Sequence, residues 1–324
     1  MMKVMVTGGS GFIGSHLVEK LIDKGIKVRI YDLQSPDFLE ELPEDKKKMV
    51  DYYQGSLLEQ DRLRIASSGS DYIFHLAAVA NVNDVEREPR YAFDINMTGT
   101  FNVLEAARNN PGIKRVIFAS TVWSYQCTPQ IGDEELQEDA PLALPSHFYT
   151  ATKIAGEAMC KSYSDLYDVN YTILRFGVPY GVRARGAIVT AIFVHRALTG
   201  QAITIAGDGS QYRKFVNVED LAEGCVLSLS EKARNKIYNL EGEEMVSIKD
   251  IADAVDELIG NVEIIYTEGR KGDFKGKDIS NKAAKADLGW EPKISFKEGL
   301  GRYIDWYKKV LSQAQADEKA VALV

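Results

Sequence analysis

Cysteine is scarce in this chain. Cys127, Cys160 and Cys225 are the three found in 324 residues. An odd number at wide spacing excludes a disulfide framework and fits reduced thiols, so a cytoplasmic protein is expected. Histidine is also sparse: the four stand apart from one another, and no metal-ligand spacing appears, so no metal is expected. No stretch reaches the roughly 18 consecutive apolar residues of a membrane span. The first strand signal begins at residue 3, which leaves no room before it for a signal peptide. Positive charge is not in excess, since the formal net charge is -8; a nucleic-acid partner is therefore not expected. The short basic run Lys46-Lys47-Lys48 adjoins Glu44 and Asp45 and reads as a solvated loop. Internal repeats are absent as well.

Glycine, by contrast, is concentrated at one place. Val4, Met5 and Val6 form a short apolar run that reads as a buried strand. Four glycines follow within seven residues: Gly8, Gly9, Gly11 and Gly14. Phe12, Ile13, Leu17, Val18, Leu21 and Ile22 then recur with helical period. Strand, glycine turn and helix in that order suit a dinucleotide: a tight turn, close backbone approach to the pyrophosphate, and free N–H groups at the helix start. By itself such a pattern is equally a tight loop. A second strand, Val28–Tyr31, ends at Asp32, about 20 positions on, where a carboxylate binds a ribose 2′-hydroxyl and repels a 2′-phosphate. That favours NAD over NADP. Arg29 lies within the strand and is a poor phosphate clamp.

Candidate strands continue at Val50–Gln54, Tyr72–Leu76, Arg115–Ala119 and Tyr171–Phe176, with helical stretches between most of them. This alternation predicts an α/β fold: a Rossmann-type, doubly wound parallel sheet of about seven strands with helices on both faces. Lys236–Leu240 reads as a returning strand. The expected division is a dinucleotide-binding domain over 1–177, with about 215–240 returning to it, and a smaller mixed α/β substrate lobe over 178–214 and 241–312. Gly207-Asp208-Gly209 reads as a turn, and 313–324 as a fraying helical tail.

The chemistry-bearing residues cluster at the predicted strand ends. His75-Leu76-Ala77-Ala78 closes the fourth strand, where small residues let a cofactor lie against the sheet; His75 itself reads better as a satisfied structural histidine. Asn96 is either a helix cap or a residue that orders the active site. Ser120 and Thr121 end the fifth strand. Tyr149 and Lys153 are one helical turn apart, which puts phenol and ammonium on one face. A cation there should lower the tyrosine pKa and suit it to proton exchange with a substrate hydroxyl.

With these residues together the chain resembles the extended short-chain dehydrogenase/reductases of the NAD-dependent epimerase/dehydratase family, over roughly 3–310. Further matches are Arg175 with Tyr180-Gly181, the run Gly207-Asp208-Gly209-Ser210-Gln211-Tyr212-Arg213, and Arg270 with Gly272-Asp273. The resemblance implies Tyr149 as acid/base, Lys153 as its tuning and ribose-binding partner, and Thr121 as hydrogen-bond partner of the reacting group. For NAD it implies Gly8, Gly11, Phe12, Ile13, Gly14, Asp32, Leu33, Ser56, Leu57, Leu76, Ala77, Ala78, Asn96, Ser120 and Phe176, beside Tyr149 and Lys153. For a nucleotide sugar it implies Thr121, Val122, Trp123, Tyr149, Val178, Arg213, Arg270 and Asp273, the arginines gripping the diphosphate.

The chain departs from the family pattern at Ser56, Val178 and Asn217, and most informatively at Val122-Trp123. Related sugar dehydratases carry Asp-Glu there, and neither residue here transfers protons. Trp123 either narrows the pocket or packs beneath it. The expectation is therefore C4 epimerisation of a nucleoside-diphosphate sugar, a UDP-hexose foremost, with NAD retained through each turnover. The alternative is a net oxidoreductase, or a decarboxylase or dehydratase. A nucleotide-sensing or scaffold role is opposed by the intact Thr121, Tyr149 and Lys153. The resemblance also implies a homodimer through helices near Phe93–Arg108 and Thr150–Tyr167.

Overall fold

A computed structural model describes residues 1–130, 134–184, 188–269 and 276–321. The chain forms two compact units. The first comprises Met1–Gly177, Glu219–Glu241 and Lys277–Glu291; the second comprises Val178–Val218, Gly242–Gly276 and Pro292–Val324.

In the first unit, β1 (Lys3–Thr7), β2 (Lys27–Asp32), β3 (Val50–Gln54), β4 (Tyr72–His75), β5 (Arg115–Thr121) and β6 (Tyr171–Phe176) alternate with helices. The second unit contributes β7 (Val178–Tyr180), β8 (Ile203–Ala206) and β9 (Tyr212–Asn217) before β10 (Lys236–Leu240) returns to the first; β11 (Met245–Ser247) and β12 (Ile264–Thr267) complete the second. The seven strands of the first unit lie in the order β10-β6-β5-β4-β1-β2-β3, and every pair is parallel. This is the Rossmann-type sheet read from the sequence. Val4, Met5, Val6, Ile73, Phe74, Val116, Ile117 and Phe118 are buried along β1, β4 and β5, as expected of central strands covered by helices on both faces. The strand order reverses between β1 and β4, and the crevice beyond their carboxyl ends is where such sheets bind ligands.

Several local expectations shift. The fourth strand stops at His75, one residue early, while the fifth runs past Ala119 and ends on Ser120 and Thr121, where the sequence placed them. Asn96 is no helix cap: it lies inside the wide π-helical turn Asp94–Thr98, between two helical segments. The segment Lys277–Glu291, read from the sequence as part of the second lobe, packs in the first unit. It is tied there by a parallel bridge of Leu136 with Ile279, by the Trp290 indole donating to the Asp220 carbonyl at 2.8 Å, and by Lys236 with Asp287 at 2.6 Å. The helix Phe296–Val321 runs into the tail.

In the second unit, β9 pairs with β7 on one side and β11 on the other, and β8 pairs with β12. Tyr180, Phe215 and Phe296 form its aromatic centre, with ring centroids 5.0 to 6.2 Å apart. Among the described residues no helix is long and apolar enough to cross a membrane.

Candidate active site

The glycine turn is built for close approach. Gly8 has φ +74°, and a Cβ there would lie 2.7 Å from the Ala77 nitrogen; a Cβ at Gly14 would lie 2.0 Å from the Gly8 carbonyl oxygen. The helix Phe12–Asp23 starts from Gly11 with no side-chain cap and no acidic residue in its first turn. Its leading N–H groups and dipole are thus left for an anion. Asp32 is held by two backbone donors, Ser10 N–H at 3.0 Å and Gln34 N–H at 3.1 Å. That fixes a carboxylate next to the turn. These features fit a dinucleotide with an unphosphorylated ribose.

Around the crevice, the Leu76 and Ala77 N–H groups both donate to the Thr7 carbonyl at 3.1 Å. His75 is buried and pinned on both nitrogens, Nδ1 with Thr7 Oγ1 at 2.8 Å and Nε2 with Thr100 Oγ1 at 3.0 Å. Thr100 gives its own proton to the Asn96 carbonyl at 2.6 Å. It must therefore accept from His75, which assigns the proton to Nε2 and leaves Nδ1 to accept from Thr7. Burial lowers the His75 pKa to about 3, so the ring is neutral and structural, as the sequence suggested. Asn96 accepts from Val79 N–H at 2.8 Å, and donates to the Val79 carbonyl at 3.0 Å and Thr152 Oγ1 at 3.1 Å. It ties the segment after β4 to the helix Phe148–Tyr167.

That helix carries the acid/base pair. The Thr121 side chain acts on the Tyr149 phenol and favours its phenolate form. The Trp123 N–H donates to Thr121 Oγ1 at 3.2 Å, so the threonine's own proton is available to the phenol oxygen. Lys153 is buried, donates to the Ala119 carbonyl at 2.9 Å, and lies 6.0 Å from the Tyr149 ring centroid. The expected lowering of the tyrosine pKa by lysine is not found in the chain itself. Desolvation pushes the phenol up to about 12, and the Thr121 side chain pulls it partly back. Burial likewise lowers Lys153 to about 8, against the pull of Cys160 and Glu157.

The remaining predicted residues divide. Phe176 is buried at the end of β6, in register with Thr121. Ser120 faces Glu157, its Oγ donating to Oε1 at 2.5 Å. Leu33 is exposed, whereas Leu57 is buried in the core, close enough to Gly99 that a Cβ there would lie 2.8 Å from it. The Ser56 carbonyl accepts from Tyr31 OH at 2.9 Å and its N–H donates to Glu59 at 2.7 Å. Val122 packs with Tyr125, Leu136 and Ile279, which leaves its backbone for any ligand contact. Trp123 stands edge-on to His147, centroids 6.4 Å apart. Val178 and Arg213 belong to the second unit: Val178 pairs with Phe215, and Arg213 pairs with Val246 while donating to the Tyr212 carbonyl at 2.6 Å. Arg270 and Asp273 lie outside the described residues. Glu157, Thr7, Thr100 and Thr152 were not singled out from the sequence. Glu157 could have been, by its place four residues after Lys153.

A dinucleotide cradle at the switch point, with Thr121, Tyr149 and Lys153 beside it, defines a nicotinamide-dependent enzyme of the short-chain dehydrogenase/reductase type. The chain belongs, more narrowly, to the NAD dependent epimerase/dehydratase family, whose sequence model matches residues 4–240, and NAD is the cofactor of that family. The chain is similar to the UDP-glucose 4-epimerase of Thermotoga maritima, solved with UDP-glucose: 32% identity, 96% of this chain and 100% of that one covered, TM-score 0.86. It is also similar to the UDP-glucuronic acid 4-epimerase of Bacillus cereus, solved with UDP-glucuronic acid and NAD: 26% identity, 95% and 100% covered, TM-score 0.84. A UDP-N-acetyl-alpha-D-glucosaminuronate decarboxylase of Bacillus cytotoxicus is 29% identical, with 95% of this chain and 98% of that protein covered. The relatives thus act on UDP-sugars by more than one reaction.

Proposed function

We propose that this chain epimerises a nucleoside-diphosphate sugar at C4, with a UDP-hexose as substrate. One observation carries the reading: the Thr121–Tyr149–Lys153 arrangement is followed by Val122-Trp123, not by side chains that could protonate a leaving hydroxyl or remove a second proton. Elimination needs such groups; epimerisation at a carbinol carbon does not. Bound NAD would supply a reversible hydride acceptor. Gly8, Gly11, Phe12, Ile13 and Gly14 would hold its pyrophosphate, and Asp32 with Leu33 the adenosine ribose. Ser56 and Leu57 would lie at the adenine. Leu76, Ala77, Ala78, Asn96, Ser120 and Phe176 would border the rest.

Tyr149 takes the C4 hydroxyl proton and later returns one. The phenol is protonated at rest, so it must first give its own proton to solvent; the negative charge is then on Tyr149 before the transfer and is quenched by it. The Thr121 hydroxyl and the Lys153 ammonium would favour that phenolate form. Arg213 and Arg270 would bind the diphosphate, Asp273 the nucleoside ribose, and Val122, Trp123 and Val178 the surroundings of the sugar. We further propose a homodimer through the helices near Phe93–Arg108 and Thr150–Tyr167. Phe93, Phe101, Leu166 and Tyr167 support it, since all four are exposed apolar side chains on these helices.

The test is incubation with NAD and a panel including UDP-glucose, UDP-galactose and UDP-glucuronate, with products read by NMR. Interconversion of one C4 pair without steady growth of reduced-nicotinamide absorbance is expected. Tyr149→Phe should lower turnover by about 100-fold or more and leave NAD binding intact. No interconversion of any C4 pair overturns the reading, and steady accumulation of NADH points to a net oxidoreductase instead. The uronate arm is included because of the similarity to a UDP-glucuronic acid 4-epimerase.

A further inference from the structure

A second polar site lies at the opposite edge of the sheet from the crevice. Arg115 opens β5, Asn170 immediately precedes β6, and Arg234 comes two residues before β10. These strands are neighbours in the order β10-β6-β5, so their amino ends meet. There Lys114, Arg115, Asn170, Glu231 and Arg234 line a cavity of about 290 Å³, at the small end of ligand-sized cavities. All five residues belong to the first unit.

Charge in this cavity is unbalanced. Arg115 is buried, yet its hydrogen bonds go to uncharged oxygens. Nη1 donates to Thr172 Oγ1 at 3.2 Å and to the Ser230 carbonyl at 3.0 Å, and Nη2 to the Leu229 carbonyl at 3.0 Å. The Glu231 carboxylate stands 3.7 Å from Nη2, beyond hydrogen-bond reach, and its side chain is 71% exposed. Arg234 donates through Nε to Asn170 Oδ1 at 2.9 Å, and among the described residues its two Nη groups have no protein partner. Asn170 accepts a second bond from Asn235 Nδ2 at 3.2 Å and donates to the Lys114 carbonyl at 3.2 Å. Its amide is thus fixed, and it holds the Nε edge of Arg234 while leaving the fork open. Lys114 Nζ lies 3.1 Å from Asp71 Oδ1, which takes one of the three ammonium protons. Three cations therefore stand against Glu231 and Asp71. The acidity of the chain as a whole does not cancel this, because exposed charges more than about 10 Å away are largely screened at ordinary salt.

We propose that this cavity binds a phosphate group, with Arg234 and Lys114 as exposed donors and Arg115 as the buried positive charge beside them. The charge and several acceptor oxygens of a phosphate match a guanidinium fork together with an ammonium. Cavity and catalytic residues occupy the two ends of β5, Arg115 at one and Thr121 at the other. The proposal is thus independent of the epimerase reading.

The test is a titration of NAD-loaded protein, labelled with 15N-arginine, with inorganic phosphate at constant ionic strength and chloride as the reference. The Nε–H resonance of Arg234, assigned through Arg234→Gln, should shift to saturation with phosphate and not with chloride. This readout is local, so phosphate entering the dinucleotide crevice does not imitate it. Lys114→Gln changes an exposed side chain and should weaken binding by about fivefold. Glu231→Gln removes the lining carboxylate, keeps an oxygen to accept from Tyr72 OH at 3.3 Å, and should tighten binding. A parallel titration with glucose 1-phosphate separates the sources: tighter binding marks a phosphate ester as the ligand, and equal binding marks free phosphate. Absence of a saturable Arg234 shift at millimolar phosphate overturns the proposal. So does equal weakening by Lys47→Gln, which lies before β3 at the other edge of the sheet, since net charge alone would then explain the response.

Discussion

At the scale of single residues, burial sets the ionisation of the site. Tyr149 and Lys153 are displaced in opposite directions, the phenol up to about 12 and the ammonium down to about 8. Each is pushed toward its neutral form, because a low-dielectric surrounding penalises charge of either sign. A lysine that is easier to deprotonate folded than unfolded opposes folding while it is charged. Below pH 8 both states hold the proton and the penalty is complete; between about 8 and the ordinary lysine value of 10.5 the unfolded chain binds more protons, so stability from this group rises with pH. Its size is on the order of 3 kcal/mol. Lys153→Met should therefore lose catalytic activity without lowering Tm at pH 7, and its Tm advantage should shrink toward pH 10. Thermal denaturation across that range checks it; a clear loss of Tm at pH 7 would show that the Ala119 hydrogen bond outweighs the burial penalty. The Tyr149–Lys153 spacing was plain in the sequence. The direction of the phenol shift was not, because it depends on how far the fold desolvates the ring.

At the scale of elements, the turn between β1 and the helix Phe12–Asp23 is the part with least freedom. A methyl at Gly14 would meet the backbone of Gly8 at 2.0 Å, and backbone cannot step aside as a flexible side chain can. Gly14→Ala should destabilise by about 2 to 3 kcal/mol and abolish NAD binding. Gly25→Ala is the control: φ is +73° but no atom lies within 4 Å, so about 1 kcal/mol is lost and NAD binding is kept. Urea unfolding and NAD titration distinguish them; equal effects would refute a packing role for Gly14. The Asn96 region shows where element-level reading stops. A residue that suits a cap fell inside a π-helical turn, since its side chain finds partners at Val79 and Thr152, distant in sequence, that satisfy it better than a local cap would.

At the scale of the whole molecule, the proposed dimer makes a prediction of its own. Leu166 is 70% exposed and Tyr167 45% on one candidate helix, and Phe101 is 44% exposed on the other. Large apolar side chains grouped in this way commonly mark an interface. Sedimentation of wild-type protein at micromolar concentration should give a dimer. Leu166→Lys with Phe101→Lys should shift it to monomer, because two desolvated ammonium groups are costly to bury. A monomeric wild type would remove the proposal.

The amino-acid order alone determined the sheet, the glycine turn, Asp32 and the Tyr149–Lys153 pair, because each is encoded over a few neighbouring residues with a fixed period. The order of the strands in space, by contrast, decided which distant groups meet. Setting Ser120 beside Arg175 on adjoining strands gave the Glu157 carboxylate a partner on each. The same packing neutralised His75, turned Leu57 and Val122 into core, and drew Lys277–Glu291 into the first unit. Such contacts join residues tens of positions apart, and a sequence pattern of short period carries no record of them.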